Sequence, residues 1–230
     1  MTGSDATDVH PRGCFITFEG GEGAGKSTQI NLLAERLDAE HIRALVTREP
    51  GGSPGAEIIR HIILSGMGKL LGPEAETLLF AAARDDHVHS VIAPALAQGI
   101  WVLCDRFADS TRVYQGKVGQ VDARLLSSLE RVTIGCLRPD LTVILDLPVE
   151  DGMKRAAARR GADAPDRFEA EDISFHQKLR EGYREIAASE PERCILIDAS
   201  GTQEQVAEKV WAAVQGRLIE TAHAAQVNPA

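Results

Sequence analysis

The chain has 230 residues, and its 25 Lys and Arg against 34 Asp and Glu give a formal net charge of −9. That balance excludes a constitutive grip on a nucleic-acid backbone, which needs a surplus of cations. Hydrophobic residues make up 43% and charged residues 26%, as in a globular domain, and no run approaches the roughly 18 apolar residues of a membrane helix, so neither nucleic acid nor membrane is expected as a partner.

The length predicts a single domain over residues 1–230, because chains usually split only beyond roughly 250 to 300 residues. Residues 1–11 are polar and lack the apolar stretch of a secretion signal, which points to the cytoplasm; both termini, to about 11 and from about 221, are expected to fray. Cysteines at 14, 104, 136 and 194 form no CxxC pair, and three lie in apolar runs where a reduced thiol serves as a small hydrophobe.

Short apolar runs alternate with segments of helical length, the pattern of a parallel α/β sheet with helices on both faces. The first predicted strand, 14–18, leads into Glu19-Gly20-Gly21-Glu22-Gly23-Ala24-Gly25-Lys26-Ser27-Thr28, which contains G-x-x-x-x-G-K-[ST] and opens a predicted helix over 27–39. Glycines let successive N–H groups turn inward around phosphate oxygens at a helix N-terminus. Lys26 then reaches the outer phosphates of a triphosphate, and Ser27 offers a hydroxyl to Mg²⁺.

The second strand, 43–47, runs into Thr47-Arg48-Glu49-Pro50-Gly51-Gly52, with helices predicted over 55–64 and 73–96. The third, 100–104, runs into Asp105-Arg106-Phe107. Residues after strand C-termini converge on one edge of a parallel sheet, so Arg48 and Arg106 are expected beside the nucleotide, where two guanidinium groups can hold a second phosphorylated molecule. Asp105 can act on magnesium through water, orient Arg106, or serve as general base toward a hydroxyl acceptor. A phosphate acceptor is already ionised and needs no base, and the arginines favour it. Phe80 stands four residues before Arg84, placing ring and guanidinium on one helix face, where the ring can stack on a base or belong to the core. In Asp85-Asp86-His87-Val88-His89 the two histidines point to different sides of a helix and cannot share a metal, so the run predicts a solvated face.

A helix over 122–134, a strand over 141–145 and a helix over 149–160 follow. The polar segment 159–167, broken by Gly161 and Pro165, predicts an exposed, mobile lid of about 155–169. A helix over 173–189, a fifth strand over 194–197 and a helix over 203–218 complete the order. GTPase switches and assembly ATPases also use such a phosphate loop, but no N-K-x-D segment is present and a single domain leaves little room for partner surfaces.

Taken in order, residues 20–28 and 47–52, Leu79-Phe80-Ala81-Ala82-Ala83-Arg84, Asp105-Arg106-Phe107 and Tyr114-Gln115-Gly116 resemble the bacterial thymidylate kinase family, over about residues 13–218. The resemblance implies a three-layer α/β/α P-loop kinase with five parallel strands. It also implies Mg²⁺-assisted transfer from ATP to dTMP, giving dTDP and ADP, and a homodimer joined through residues 94–101 and the preceding helix face. It sets Gly20, Gly21, Glu22, Gly23, Ala24, Gly25, Lys26, Ser27 and Thr28 around ATP, and Ser27 and Asp105 at the metal. Arg48 and Arg106 would hold the dTMP phosphate, Phe80 would stack on thymine, and Arg84 would bond its O4 edge. Ser110 or Thr111, with Gln115, would line the base pocket; Tyr114 would crowd the sugar 2′ position, and Glu22 would lie near the 3′-OH. Some members carry an arginine directly after the acidic residue of the loop, where this chain has Gly23. The transition-state cation is therefore expected from Arg155, Arg159, Arg160 or Arg167, with Arg159 or Arg160 favoured, beside Lys26, Asp105 and Arg106 in the catalytic set. Ala199-Ser200-Gly201 is the candidate adenine-contacting turn.

Overall fold

The computed structural model describes residues 12–161 and 167–220. The termini expected to fray, and residues 162–166 of the expected lid, lie outside those described. The five apolar runs become β1 (Phe15–Gly20), β2 (Ala44–Arg48), β3 (Trp101–Asp105), β4 (Leu141–Asp146) and β5 (Cys194–Asp198), paired in parallel in the order β2-β3-β1-β4-β5. Every residue of β1 is buried, as befits a strand covered on both faces. The polar exceptions inside the sheet satisfy one another: the Thr17 and Thr142 hydroxyls lie 2.8 Å apart.

One face is covered by α1 (Lys26–Ala39) and α9 (Gln203–Val214), whose Ile30, Leu33, Leu37, Val206 and Val210 join Ile16, Phe18 and Val143 in one core. The other face carries α3 (Pro73–His87), the short α4 (Ala93–Ala97) and α8 (Ile173–Ser189). A single helix over 73–96 was expected; instead a π turn at Val88–Ile92 separates α3 from α4, with Pro94 in the first turn of α4. Proline removes a backbone donor and crowds the preceding turn, which accounts for the wider winding before it. α2 is Pro54–Leu64, α6 is Ala123–Thr133 and α7 is Val149–Arg160. Between β3 and α6 lie two elements the periodicity does not show, the four-residue α5 (Ala108–Thr111) and a π turn at Arg112–Val118.

Residues 94–101 face outward only in part: Pro94, Ala97 and Gln98 are exposed, whereas Ala95 and Leu96 are buried in the core beside Phe15 and Val102. The exposed large apolar side chains include Ile58, Leu78 and Val132, on α2, α3 and α6. The expected solvated face at 85–89 is corrected too, because His87 is fully buried. No helix among the described residues is long and apolar enough to cross a membrane.

Candidate active site

Strand order changes direction at β1, whose neighbours are β3 and β4, and the phosphate loop leaves its C-terminal end there. The register pairs Phe18 with Asp105 and Arg48 with Asp105, so the three strand ends sit side by side. In the loop, Gly20, Gly23 and Gly25 have φ of 135°, 68° and 92°, and α1 starts at Lys26. Gly23 has a second constraint, because a Cβ there would stand 1.9 Å from the Gly152 carbonyl oxygen, and one on Gly152 would stand 2.4 Å from that of Glu22. The first turn of α7 thus grips the loop. A Gly23→Ala substitution should displace the loop and lower phosphoryl transfer by about a hundredfold, as small misplacements do. Rates and thermal melts of the variant check this; wild-type turnover would contradict the grip.

Lys26 is buried and its Nζ donates to the carbonyls of Gly21 (2.9 Å) and Gly20 (3.2 Å). Burial and the Arg106 charge lower its pKa, while Glu22, Asp105 and Glu19 pull the other way. Ser27 Oγ donates to Asp105 Oδ2 at 2.7 Å, bringing one hydroxyl and one carboxylate to a common point. Among the described residues no three His, Cys, Asp or Glu side chains cluster as a metal cage. The Ser27–Asp105 pair therefore fits magnesium, which keeps much of its shell on water and phosphate, better than a cation needing an all-protein cage.

Arg106 has a left-handed φ of 68°. Its Nη2 donates to Glu22 Oε1 (2.6 Å), its Nη1 reaches Gly20 O (3.2 Å), Ser110 Oγ (3.3 Å) and Tyr183 OH (3.1 Å), and its guanidinium lies 5.2 Å from the Tyr114 ring centroid. Burial opposes ionisation of Glu22, but Arg106 and Lys26 outweigh it and hold the carboxyl at about 2. Arg48 is more than half exposed and donates to Glu57 Oε1 at 2.9 Å, on the same oxygen that accepts from Gly52 N. Both arginines line one cavity of about 370 Å³ with Lys26, Ser27, Asp105 and Glu22.

The same cavity is also lined by Phe80, Arg84, Thr111, Gln115 and Tyr114. Arg84 is buried; its Nε donates to Glu49 Oε2 (2.8 Å), and its Nη2 to Phe107 O (3.1 Å) and Thr111 Oγ1 (3.0 Å). Glu49 also meets His87 Nδ1 at 3.1 Å, and His87 Nε2 lies 2.7 Å from Thr47 Oγ1. That network explains why His87 is inside. Phe80 is a cavity wall and not a core residue, and Phe168 joins it, with ring centroids 6.5 Å from Phe80 and 5.3 Å from Tyr114. Of the two hydroxyls left open, Thr111 belongs to Arg84, whereas Ser110 bonds Glu19 (2.6 Å) and faces Arg106. Glu19 itself is fully buried, and burial together with Asp109 raises it to about 7 against the Arg106 charge and the bonds from Ser110 and Phe107.

The lid arginines separate. Arg159 lines the cavity and meets Glu169 at 3.3 Å; Arg160 donates to the other Glu169 oxygen at 2.8 Å and is not part of the cavity wall. Arg167 donates to Glu76 at 2.8 Å, and Arg155 to the Ala199 carbonyl at 3.2 Å, so Arg155 steadies the candidate adenine turn, which lies outside this cavity. Sequence reasoning missed Glu49, Phe168, Tyr183 and Glu19. Glu49 and Phe168 stood beside quoted motif residues, whereas nothing local marked Tyr183.

A phosphate loop at the switch point of a parallel sheet, with a second set of arginines across the same cavity, defines a P-loop phosphotransferase. The family model described as "Thymidylate kinase" matches residues 18–210. A thymidylate kinase of Nitrobacter hamburgensis is 74% identical over 208 residues, covering 90% of each chain, and one of Bradyrhizobium diazoefficiens is 71% identical over 210 residues, covering 91% of this chain and 92% of that one. The crystal structure of thymidylate kinase from Ehrlichia chaffeensis superposes with a TM-score of 0.72 at 34% identity, covering 89% of this chain and 99% of the other. The chain belongs to the thymidylate kinase family.

Proposed function

We propose that this chain transfers the terminal phosphoryl group of ATP to dTMP, yielding dTDP and ADP. The observation that carries the reading is a single cavity whose wall combines Lys26 and Ser27 with Arg48, Arg106, Phe80 and Arg84. Lys26 and the loop N–H groups bind the donor phosphates. Arg106 and Arg48 hold the acceptor phosphate, Arg84 donates to thymine O4, Phe80 stacks on the base, and Tyr114 fills the space a ribose 2′-OH would need. Glu22 is ionised at neutral pH and accepts from the sugar 3′-OH. Mg²⁺, met by Ser27 Oγ and by Asp105 through water, would neutralise charge on the nucleotide phosphates. Because a phosphate acceptor is already anionic, Asp105 is not needed as a base.

Arg159 is the lid cation of this reading, supported by its place in the cavity wall and by its contribution to keeping Glu22 ionised. The reading includes a homodimer, for which the support is the exposed Leu78 and Val132 on helices α3 and α6, which pack side by side. ADP release with ATP and Mg²⁺ should be strongest with dTMP among dTMP, dUMP, UMP, dCMP, dGMP, AMP and thymidine. Turnover with thymidine and not dTMP would overturn the phosphate-acceptor site. Arg159→Ala should lower kcat by about a hundredfold, against a small change for Arg160→Ala.

A further inference from the structure

Glu19 is the penultimate residue of β1 and is fully buried, a position where an unpaired carboxylate is costly. It accepts on both oxygens: Oε1 takes the backbone N–H groups of Phe107 (2.8 Å) and Ser110 (3.2 Å), and Oε2 takes the hydroxyls of Ser110 (2.6 Å) and Tyr183 (3.1 Å). Those same two hydroxyl oxygens are the ones Arg106 Nη1 reaches, at 3.3 and 3.1 Å. A hydroxyl has one proton. When that proton is directed to Glu19, the lone pairs of Ser110 and Tyr183 are turned toward the guanidinium, and Arg106 finds two acceptors. Were Glu19 to donate instead, the hydroxyl proton it displaced would have to turn to the other hydroxyl, 2.9 Å away, or toward the N–H groups of Arg106.

We infer that Glu19 and Tyr183 are positioning residues for Arg106, Glu19 fixing the direction of the two hydroxyls and Tyr183 supplying one of them. Tyr183 lies on α8, 77 residues beyond Arg106, and is a nearly fully buried ring in contact with Val113 and Leu179. It is held too tightly to follow Arg106 if the guanidinium wanders. One end of the Arg106 fork is thereby tied to the protein through Gly20 O, Ser110 and Tyr183, while the other meets Glu22. Asp109, on α5, stands behind the network and is itself neutralised by Arg193 at 2.7 Å. The inference rests on the reading of Arg106 as a ligand of the acceptor phosphate.

The test is Tyr183→Phe, which keeps the ring and deletes the hydroxyl, at pH 8, where Glu19 is ionised. Calorimetric binding of dTMP without ATP should weaken by about tenfold, the size expected for a lost hydrogen bond to a charged group, with the ATP Kd unchanged. In turnover the KM for dTMP should rise in step while that for ATP does not. Glu19→Gln places an amide donor against the hydroxyls and should give the same one-sided loss, so a folding failure in either variant leaves the other to decide. Melting temperature verifies folding. Wild-type dTMP affinity in a folded Tyr183→Phe or Glu19→Gln variant, or equal losses for dTMP and ATP, would overturn the positioning role. If the unaltered protein itself does not bind dTMP, the acceptor reading falls first, and the inference with it.

Discussion

Replacing Lys26 by alanine should lower ATP-dependent phosphoryl transfer by about a thousandfold or more, with little change in melting temperature. Among the described residues Lys26 is the one ammonium in the cavity wall, and its Nζ lies on the Gly20 and Gly21 carbonyls at the entrance of the loop. Burial and Arg106 work against its charge, and the carboxylates of Glu22, Asp105 and Glu19 favour it. A cation so held is already desolvated, so its interaction with transferring phosphate oxygens is not discounted by reorganising water. The fold does not depend on it in the same degree. The loop conformation is carried by positive-φ glycines and by the Gly23–Gly152 contact, neither of which involves the side chain. Initial rates of ADP formation and a thermal melt check both halves; turnover within about tenfold of wild type would remove Lys26 from the transition state.

The central strands β1, β3 and β4 were legible because a parallel strand buried on both faces reads as an unbroken apolar run; the half-exposed edge strands β2 and β5 keep short apolar runs as well, and all five lie within a residue or two of their predicted ends. The loop was legible because its backbone permits little but glycine at Gly20, Gly23 and Gly25. Residues 108–118 were not. A helix of four residues followed by a π turn has no length over which period 3.6 can show, and what fixes it is Glu19, some ninety positions earlier, accepting from Phe107 N and Ser110 N. His87 failed for the same reason: its local neighbours are acidic and polar, but Glu49 arrives from the end of β2 to make the interior habitable. Arg159 and Arg160 are adjacent on one helix, roughly 100° apart in direction, and sequence cannot say which points to the cavity. Glu169 meets both, and the winding of α7 puts Arg159 in the cavity wall.

Arg106→Ala should weaken dTMP binding by about a thousandfold while ATP binding changes by only a few-fold, the cost of leaving a buried charge without its partner added to the lost phosphate contact. The guanidinium joins Glu22, Ser110, Tyr183 and the Gly20 carbonyl, so no neutral side chain can replace it. Lysine is not a conservative substitute, since one ammonium cannot span the distance between Glu22 and the two hydroxyls, and Arg106→Lys should recover only part of the affinity. The substitution also has a signature apart from binding. With its folded pKa near 2, below the ordinary 4.5, Glu22 contributes stability that is present above about pH 4.5 and is lost as pH falls toward 2. Without Arg106, burial is opposed by Lys26 and more distant cations, the Glu22 pKa rises, and that acid-side stabilisation shrinks. Melting temperatures between pH 3 and 7 should therefore fall relative to wild type most at the neutral end, where the unpaired carboxylate is charged and buried. Parallel losses of dTMP and ATP affinity would instead mean that Arg106 holds the shape of the phosphate loop through Gly20 and does not serve the acceptor.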